Sequence, residues 1–206
     1  MAVLIGNSAR GVKKQQGRVI VLSGPSGAGK TTLHDLLLKS PQFAGRIVRS
    51  ISATTRPPRG TERHGREYLF LSGKMFEAKL RRGQFLEWAR VFDQYYGTPM
   101  NKVREVLKKG KSVLLCIDVQ GGREVKRKIP SAVTIFVKTA SMDELRRRLM
   151  SRGTDSKENI ALRLKTARQE LKEARFYDHV VVNDTLSRAQ RELERILEAC
   201  IAGGSV

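Results

Sequence analysis

Eight residues, Gly24-Pro25-Ser26-Gly27-Ala28-Gly29-Lys30-Thr31, constrain this chain more than any others. They satisfy G-x-x-x-x-G-K-[ST], and their flanks are the ones that give the pattern structural meaning. Arg18 to Leu22 is a short, mostly β-branched run that ends in Ser23-Gly24-Pro25, a buried strand meeting a glycine turn. From Thr31 onward Leu33, Leu36 and Leu37 recur at helical spacing until Pro41 stops them. In a strand-loop-helix unit of this kind the glycines let successive backbone N–H groups turn inward toward phosphate oxygens, at the positive end of the following helix. The Lys30 side chain then reaches the β- and γ-phosphates of a nucleoside triphosphate, and the Thr31 hydroxyl is placed to ligate Mg²⁺.

The rest of the chain continues the rhythm. Val113 to Val119, Val133 to Val137 and Val180 to Val182 read as further buried strands. Helical patterns run over Asn101 to Lys109, Arg123 to Lys128, Asp143 to Ser151 and Lys157 to Phe176, and a last helix over Ser187 to Ala202. Alternation of this kind predicts an α/β fold of the P-loop NTPase type, a parallel sheet with helices on both faces. Arg46 to Gly97 breaks the alternation with the Arg56-Pro57-Pro58-Arg59-Gly60 turn and most of the aromatic residues, as a small α+β insert would. The polar break at Gly153-Thr154, between two helices, reads as a hinged helical lid. The expected division is a loose basic tail over 1–17, core over 18–50, insert over 51–98, core over 99–145, lid over 146–163 and core over 164–206.

Charge narrows the ligand class. The 206 residues carry 40 Lys+Arg against 20 Asp+Glu, a net charge of +20. The excess is uneven: Arg46 to Arg66 holds 6 basic residues and 1 acidic, Leu145 to Arg175 holds 10 and 4, and from Phe176 onward the balance reverses to 3 and 5. Such a field attracts phosphates. A protein that merely adheres to nucleic acid is the competing reading, and the basic tail leaves such a contact open, but no recognition helix, zinc spacing or RNA-binding strand signature accompanies it. The longest unbroken apolar runs, Met1 to Ile5 and Val113 to Ile117, fall far short of the roughly 20 residues that span a bilayer. Cys116 and Cys200 form no metal-ligand spacing, and the leader has the reverse order of a secretory signal, so the expected location is cytoplasmic.

Beyond the loop, a series of motifs follows in order: Ser52-Ala53-Thr54-Thr55-Arg56-Pro57-Pro58-Arg59, Gly65-Arg66-Glu67-Tyr68, Phe85-Leu86-Glu87-Trp88-Ala89, Tyr95-Tyr96-Gly97-Thr98, Ile117-Asp118-Val119-Gln120-Gly121, Arg152-Gly153-Thr154 and Val182-Asn183-Asp184. With the glycine loop they resemble guanylate kinases over about Gly17 to Ile201. The resemblance implies a transferase of purine nucleotide metabolism, passing the γ-phosphoryl group of ATP to GMP with Mg²⁺ as the cation that accompanies ATP. It implies ATP contacts along Gly24 to Thr32, with Lys30 also catalytic. For GMP it implies Ser52, Arg56, Arg59, Tyr68, Glu87, Tyr96, Thr98 and Asp118. Arg148, Arg152 and Arg163 resemble the lid arginines of the family, with Arg56 also counted among the catalytic groups, and Asn183 resembles a nucleotide-contacting position.

The chemistry agrees with that assignment. Guanine offers two donors, N1–H and the N2 amino group, on one edge, and a carboxylate accepts both. Adenine offers no donor on the matching atoms, and a site that would leave a buried carboxylate unpaired discriminates by about 10⁴ to 10⁵. Glu87 taken alone would read as an exposed acid beside a core Trp88. The GMP phosphate calls for forked donors, which arginine supplies better than lysine. One departure stands out: guanylate kinases commonly carry an aspartate where this chain has Cys116, which predicts ordinary fold and GMP binding with weakened Mg²⁺ handling. A related kinase with another acceptor, such as dGMP or a ribose bisphosphate, and a non-catalytic protein-binding module of the same fold are the alternatives. The intact Lys30 and Thr31 argue against the module, and Glu87 with Ser52 against a sugar phosphate.

Overall fold

The computed structural model describes residues 17–91, 93–151 and 156–201. The predicted basic tail (1–16 of it), Arg152 and the Gly153-Thr154 break lie outside those residues. In chain order the elements are β1 (Val19–Ser23), α1 (Lys30–Lys39), β2 (Ile47–Arg49), β3 (Ala53–Thr54), β4 (Leu69–Phe70), α2 (Gly73–Arg81), β5 (Phe85–Val91), β6 (Gln94–Pro99), α3 (Met100–Lys108), β7 (Ser112–Cys116), α4 (Val119–Lys128), β8 (Val133–Lys138), α5 (Met142–Met150), α6 (Lys157–Lys172), β9 (His179–Val182) and α7 (Leu186–Ile201).

Five strands form a parallel sheet in the order β2-β7-β1-β8-β9. β1 is central and buried at all five positions, which is why its first four residues are apolar without alternation. Its side chains divide by pleat. Ile20 and Leu22 join Leu33 and Leu37 of α1 and Leu193 and Leu197 of α7 on one face. Val19 and Val21 join Val103 of α3, Val125 of α4 and Leu86 on the other. Each such side chain contributes about 1.5–3 kcal/mol when fully buried, so the two-faced core anchors everything attached to the sheet ends.

A second sheet, ordered β4-β3-β6-β5, is antiparallel except between β3 and β4. It packs on α2 through Phe76, whose ring lies 4.4 Å from that of Phe85 and 5.2 Å from that of Tyr95. Ser72 caps α2 by accepting from the Met75 N–H. α5 and α6 pack on each other through Leu145, Leu149 and Ala167, with Ile160 and Leu164 alongside. No helix among the described residues is long and apolar enough to cross a membrane.

The sequence reading needs three corrections. The strand expected over Val113 to Val119 stops at Cys116, because the Asp118 carboxylate accepts the Gly121 N–H and starts α4 at Val119. β2, a three-residue edge strand ending in Arg49, was not foreseen. The segment Lys157 to Phe176 is α6 followed by a separate 3₁₀ turn, Glu173–Phe176.

Candidate functional site

The glycine loop leaves the end of β1 and enters α1 without any side-chain cap, so the first N–H groups of the helix face outward. Gly24 and Gly29 are required there. Gly24 has φ 135°, and a Cβ on it would meet the Val137 carbonyl oxygen at 2.0 Å. Gly29 has φ 91°, and a Cβ would meet Asn183 Nδ2 at 2.3 Å. The Lys30 ammonium folds over the loop and donates to the carbonyls of Gly24 (2.6 Å) and Pro25 (2.9 Å). Ala28, buried, is held from behind, where the Asn183 amide donates to its carbonyl at 2.8 Å. Arg148 continues that prop, donating to the Asn183 carbonyl (2.8 Å) and to Glu144 (2.7 Å). Arg163 reaches the loop from α6, with its guanidinium 3.4 Å from the Ser26 hydroxyl. Thr31 and Thr32 are exposed on the first turn of α1.

Opposite stands Glu87. It is only 4% exposed, whereas its neighbour Trp88 is 43% exposed, the inverse of what the pair suggests when taken alone. A shift in register between Phe85 and Glu87 accounts for this. The bulge sends Phe85 into the insert core, Leu86 into the main core and Glu87 toward the cleft, three consecutive residues buried on different sides. The Thr98 hydroxyl donates to Glu87 Oε1 at 2.5 Å. Burial away from water pushes the Glu87 carboxyl up to about 7, with the Thr98 bond opposing and the nearby Asp118 charge assisting. Gly121 makes room for it, since a Cβ there would lie 2.8 Å from Glu87 Oε2.

Arg56 is buried beside this sheet, paired with both oxygens of Glu62 at 2.9 Å and donating to the Pro57 carbonyl at 2.7 Å. Its guanidinium carbon lies 5.5 Å from the centre of the Tyr68 ring, and Tyr68 and Tyr96 meet edge to face at 6.2 Å. Arg59 is exposed, and its backbone is held to Glu62, its N–H donating to the carboxylate and its carbonyl accepting from the Glu62 N–H. Ser52 and Tyr68 line a small cavity of about 50 Å³ together with Cys116, His34, Arg49 and Ser50. Cys116 also lies close to Thr31 of the glycine loop, so the cavity borders the phosphate side of the cleft.

Sequence reasoning missed Arg49, His34, Gly121 and Glu170. Arg49 ends a strand too short to register as periodic. The Glu170 carboxyl, on α6, is pushed above its ordinary value by burial and lies in the electrostatic reach of Lys30 and Asp118. His34 is buried one residue from Asp35, which its Nδ1 meets at 3.0 Å, and reads from sequence as just another helix position.

The Thr31 hydroxyl fits a hard cation such as magnesium. Thr31 supplies a hard hydroxyl oxygen at the loop, no cluster of three His, Cys, Asp or Glu side chains exists among the described residues, and the Cys116 thiol is held protonated by burial.

The family model described as guanylate kinase matches residues 16–200. A guanylate kinase of Rubrobacter xylanophilus is 48% identical over 92% of this chain and 98% of its own length. One from Myxococcus xanthus is 49% identical over 89% of this chain and 87% of its own. The crystal structure of guanylate kinase from Anaplasma phagocytophilum superposes with a TM-score of 0.70 at 32% identity, covering 91% of this chain and 90% of that one.

Proposed function

This chain belongs to the guanylate kinase family and is an ATP:GMP phosphotransferase, and from that premise we propose which of its residues carry the reaction. The observation that supports the assignment best is the buried, bulge-directed Glu87 carboxylate, set with Asp118 across the cleft from the Lys30 loop. Glu87 accepts the guanine N1–H and N2–H, with Ser52 and Asp118 as further partners of the base. Because its carboxyl titrates near 7, binding the base and releasing the proton are linked. Arg56, Arg59, Tyr68 and Tyr96 hold the GMP phosphate, and Thr98 fixes Glu87.

On the other side, the N–H groups of the glycine loop and Lys30 hold the ATP phosphates, with Lys30 exchanging its two carbonyl partners for phosphate oxygens. Thr31 would hold Mg²⁺, which supplies charge neutralisation between the β- and γ-phosphates when bound. A GMP phosphate oxygen attacks the γ-phosphorus, the bond to the β-phosphate oxygen breaks, and ADP departs with that oxygen's charge. The attacking group is already an anion, so positioning and charge stabilisation carry the step and no general base is needed. Arg148, Arg152 and Arg163 neutralise the transferring group from the lid, and arginines in such a place contribute about 10³ to 10⁵ in rate.

The proposed division of labour follows the segments: insert over 51–98 for GMP, lid over 146–163, and the remaining core for ATP. A reducing cytosolic setting is part of the same proposal, supported by two unpaired cysteines, Cys116 and Cys200. A coupled assay of ADP production with GMP, AMP, CMP and UMP as separate acceptors tests the base assignment. GMP should exceed AMP by at least about 10³ in kcat/KM; equal rates would refute the role of Glu87.

A further inference from the structure

The sheet that carries Glu87 has a second face, and a cavity of about 630 Å³ lies against it. This groove shares no lining residue with the cleft cavity. Strand pleating separates the two: Ser52 and Tyr68 line the cleft, while their neighbours Ala53 and Leu69 line the groove. Its size falls within the range of sites that enclose a small organic ligand, about 300–1,000 Å³.

The lining has an ordered chemistry. Leu69, Leu71, Phe85 and Met100 make an apolar floor. Lys79 and Arg82, at the end of α2, form one wall, and Lys102 and Arg104, at the start of α3, form the other. No carboxylate is among the described lining residues. Among the described residues the Lys79 ammonium meets only the Gln84 amide oxygen, at 3.3 Å, and Lys102 meets Glu105, at 3.0 Å, outside the groove. The guanidinium groups of Arg82 and Arg104 have no hydrogen-bond or ion-pair partner among the described residues. Two exposed arginines, one on each wall, are therefore ready for forked contacts to an anion. The groove also sits where insert meets core, since the Met100 N–H that opens α3 donates to the Gln84 carbonyl at 2.9 Å.

We propose that this groove is a second nucleotide site, distinct from the catalytic cleft, which takes a nucleoside polyphosphate. The base lies on the Leu69, Leu71, Phe85 and Met100 floor, and the phosphates lie between the two cationic walls. A single compact anion leaves the floor uncovered; a purely apolar ligand leaves the Arg82 and Arg104 guanidinium groups without a partner. Nucleoside polyphosphates combine both demands, and they are the compounds this enzyme consumes and produces. An occupant bridges insert and core across the Gln84–Met100 contact.

Binding can be measured with the catalytic cleft filled. With P1-(5′-adenosyl)-P5-(5′-guanosyl) pentaphosphate saturating, fluorescent N-methylanthraniloyl-ATP should bind as a further equivalent. The Arg82→Glu/Arg104→Glu variant, altered only at exposed positions, should keep kcat and both KM values while the extra binding weakens by at least about tenfold, the worth of one charge-assisted hydrogen bond. Inorganic triphosphate should displace the probe less well than ATP, because it cannot use the floor. The proposal is overturned by no further binding to the unaltered enzyme, by undiminished binding to the variant, or by triphosphate competing as well as ATP. If the pentaphosphate itself fails to bind, the assignment of the catalytic cleft fails instead.

Discussion

The two sides of the cleft are built by different means. Glu87 is fixed by its packing on a sheet: Thr98 holds its oxygen, Gly121 of α4 sets its clearance, and the bulge before it determines its direction. Arg56 is likewise held by the Glu62 carboxylate. The glycine loop is instead held by backbone and by remote props, with Lys30 on two loop carbonyls and Asn183 on a third. On the proposed assignment, recognition of the base is pre-set by packed side chains, whereas the phosphate side keeps its cation on partners that must be exchanged during turnover. Specificity and rate should therefore fail separately when either side is altered.

The largest effect tests that separation directly. Lys30→Met should lower kcat by about 10³ or more while GMP affinity, measured by calorimetry without ATP, changes less than about threefold. A matching loss of GMP affinity would show that the two sides are not independent. Glu87→Gln should cost about 10² to 10³ in kcat/KM for GMP with the KM for ATP preserved, since an amide accepts one guanine hydrogen but turns a donor toward the other.

Acid pH sharpens the same contrast. The folded carboxyl titrates near 7, above its unfolded value of 4.5, so the native state binds the more protons between those limits. Stability therefore falls as pH rises from about 4.5 to 7, by an amount on the order of 3 kcal/mol, and is flat above. Glu87→Gln should lose that slope in urea melts taken across the window. GMP affinity should run the other way, weakening up to about tenfold per pH unit below 7 in the unaltered protein. The GMP phosphate also titrates near pH 6, so the Gln variant is the reference curve that isolates Glu87.

The smallest change concerns the metal. Cys116→Asp returns a carboxylate beside Thr31, and the Mg²⁺ concentration giving half-maximal rate should fall by about threefold to tenfold, with GMP affinity constant. An unchanged Mg²⁺ requirement would show that the thiol costs the enzyme nothing.

Much of this was legible in the sequence wherever a residue's role is local. β1, the loop and α1 could be read because apolar runs, glycines and helical spacing are properties of neighbours. The same holds for α5 and α7, whose apolar stripes keep their period. What could not be read depends on distance through the fold. Asn183 supports Ala28 from 155 residues away. Arg148 resembled a lid group, yet in the structure its guanidinium also props Asn183. Val113 to Val119 read as one strand because its apolar character continues past Cys116, while Asp118, a helix cap, interrupts it. Taken alone, Trp88 and Glu87 read the wrong way round, because a bulge is a property of strand pairing and leaves no mark in composition.

That irregularity also limits how the enzyme can change. Phe85, Leu86 and Glu87 serve two cores and the proposed base-binding edge through three adjacent positions, so a deletion of any one residue would rotate the others by a pleat. Replacement of side chains remains open to mutation there, but length does not. A descendant that adopted a different acceptor would have to do so by rewriting letters at fixed spacing, and loops elsewhere would have to absorb every insertion that its history brought.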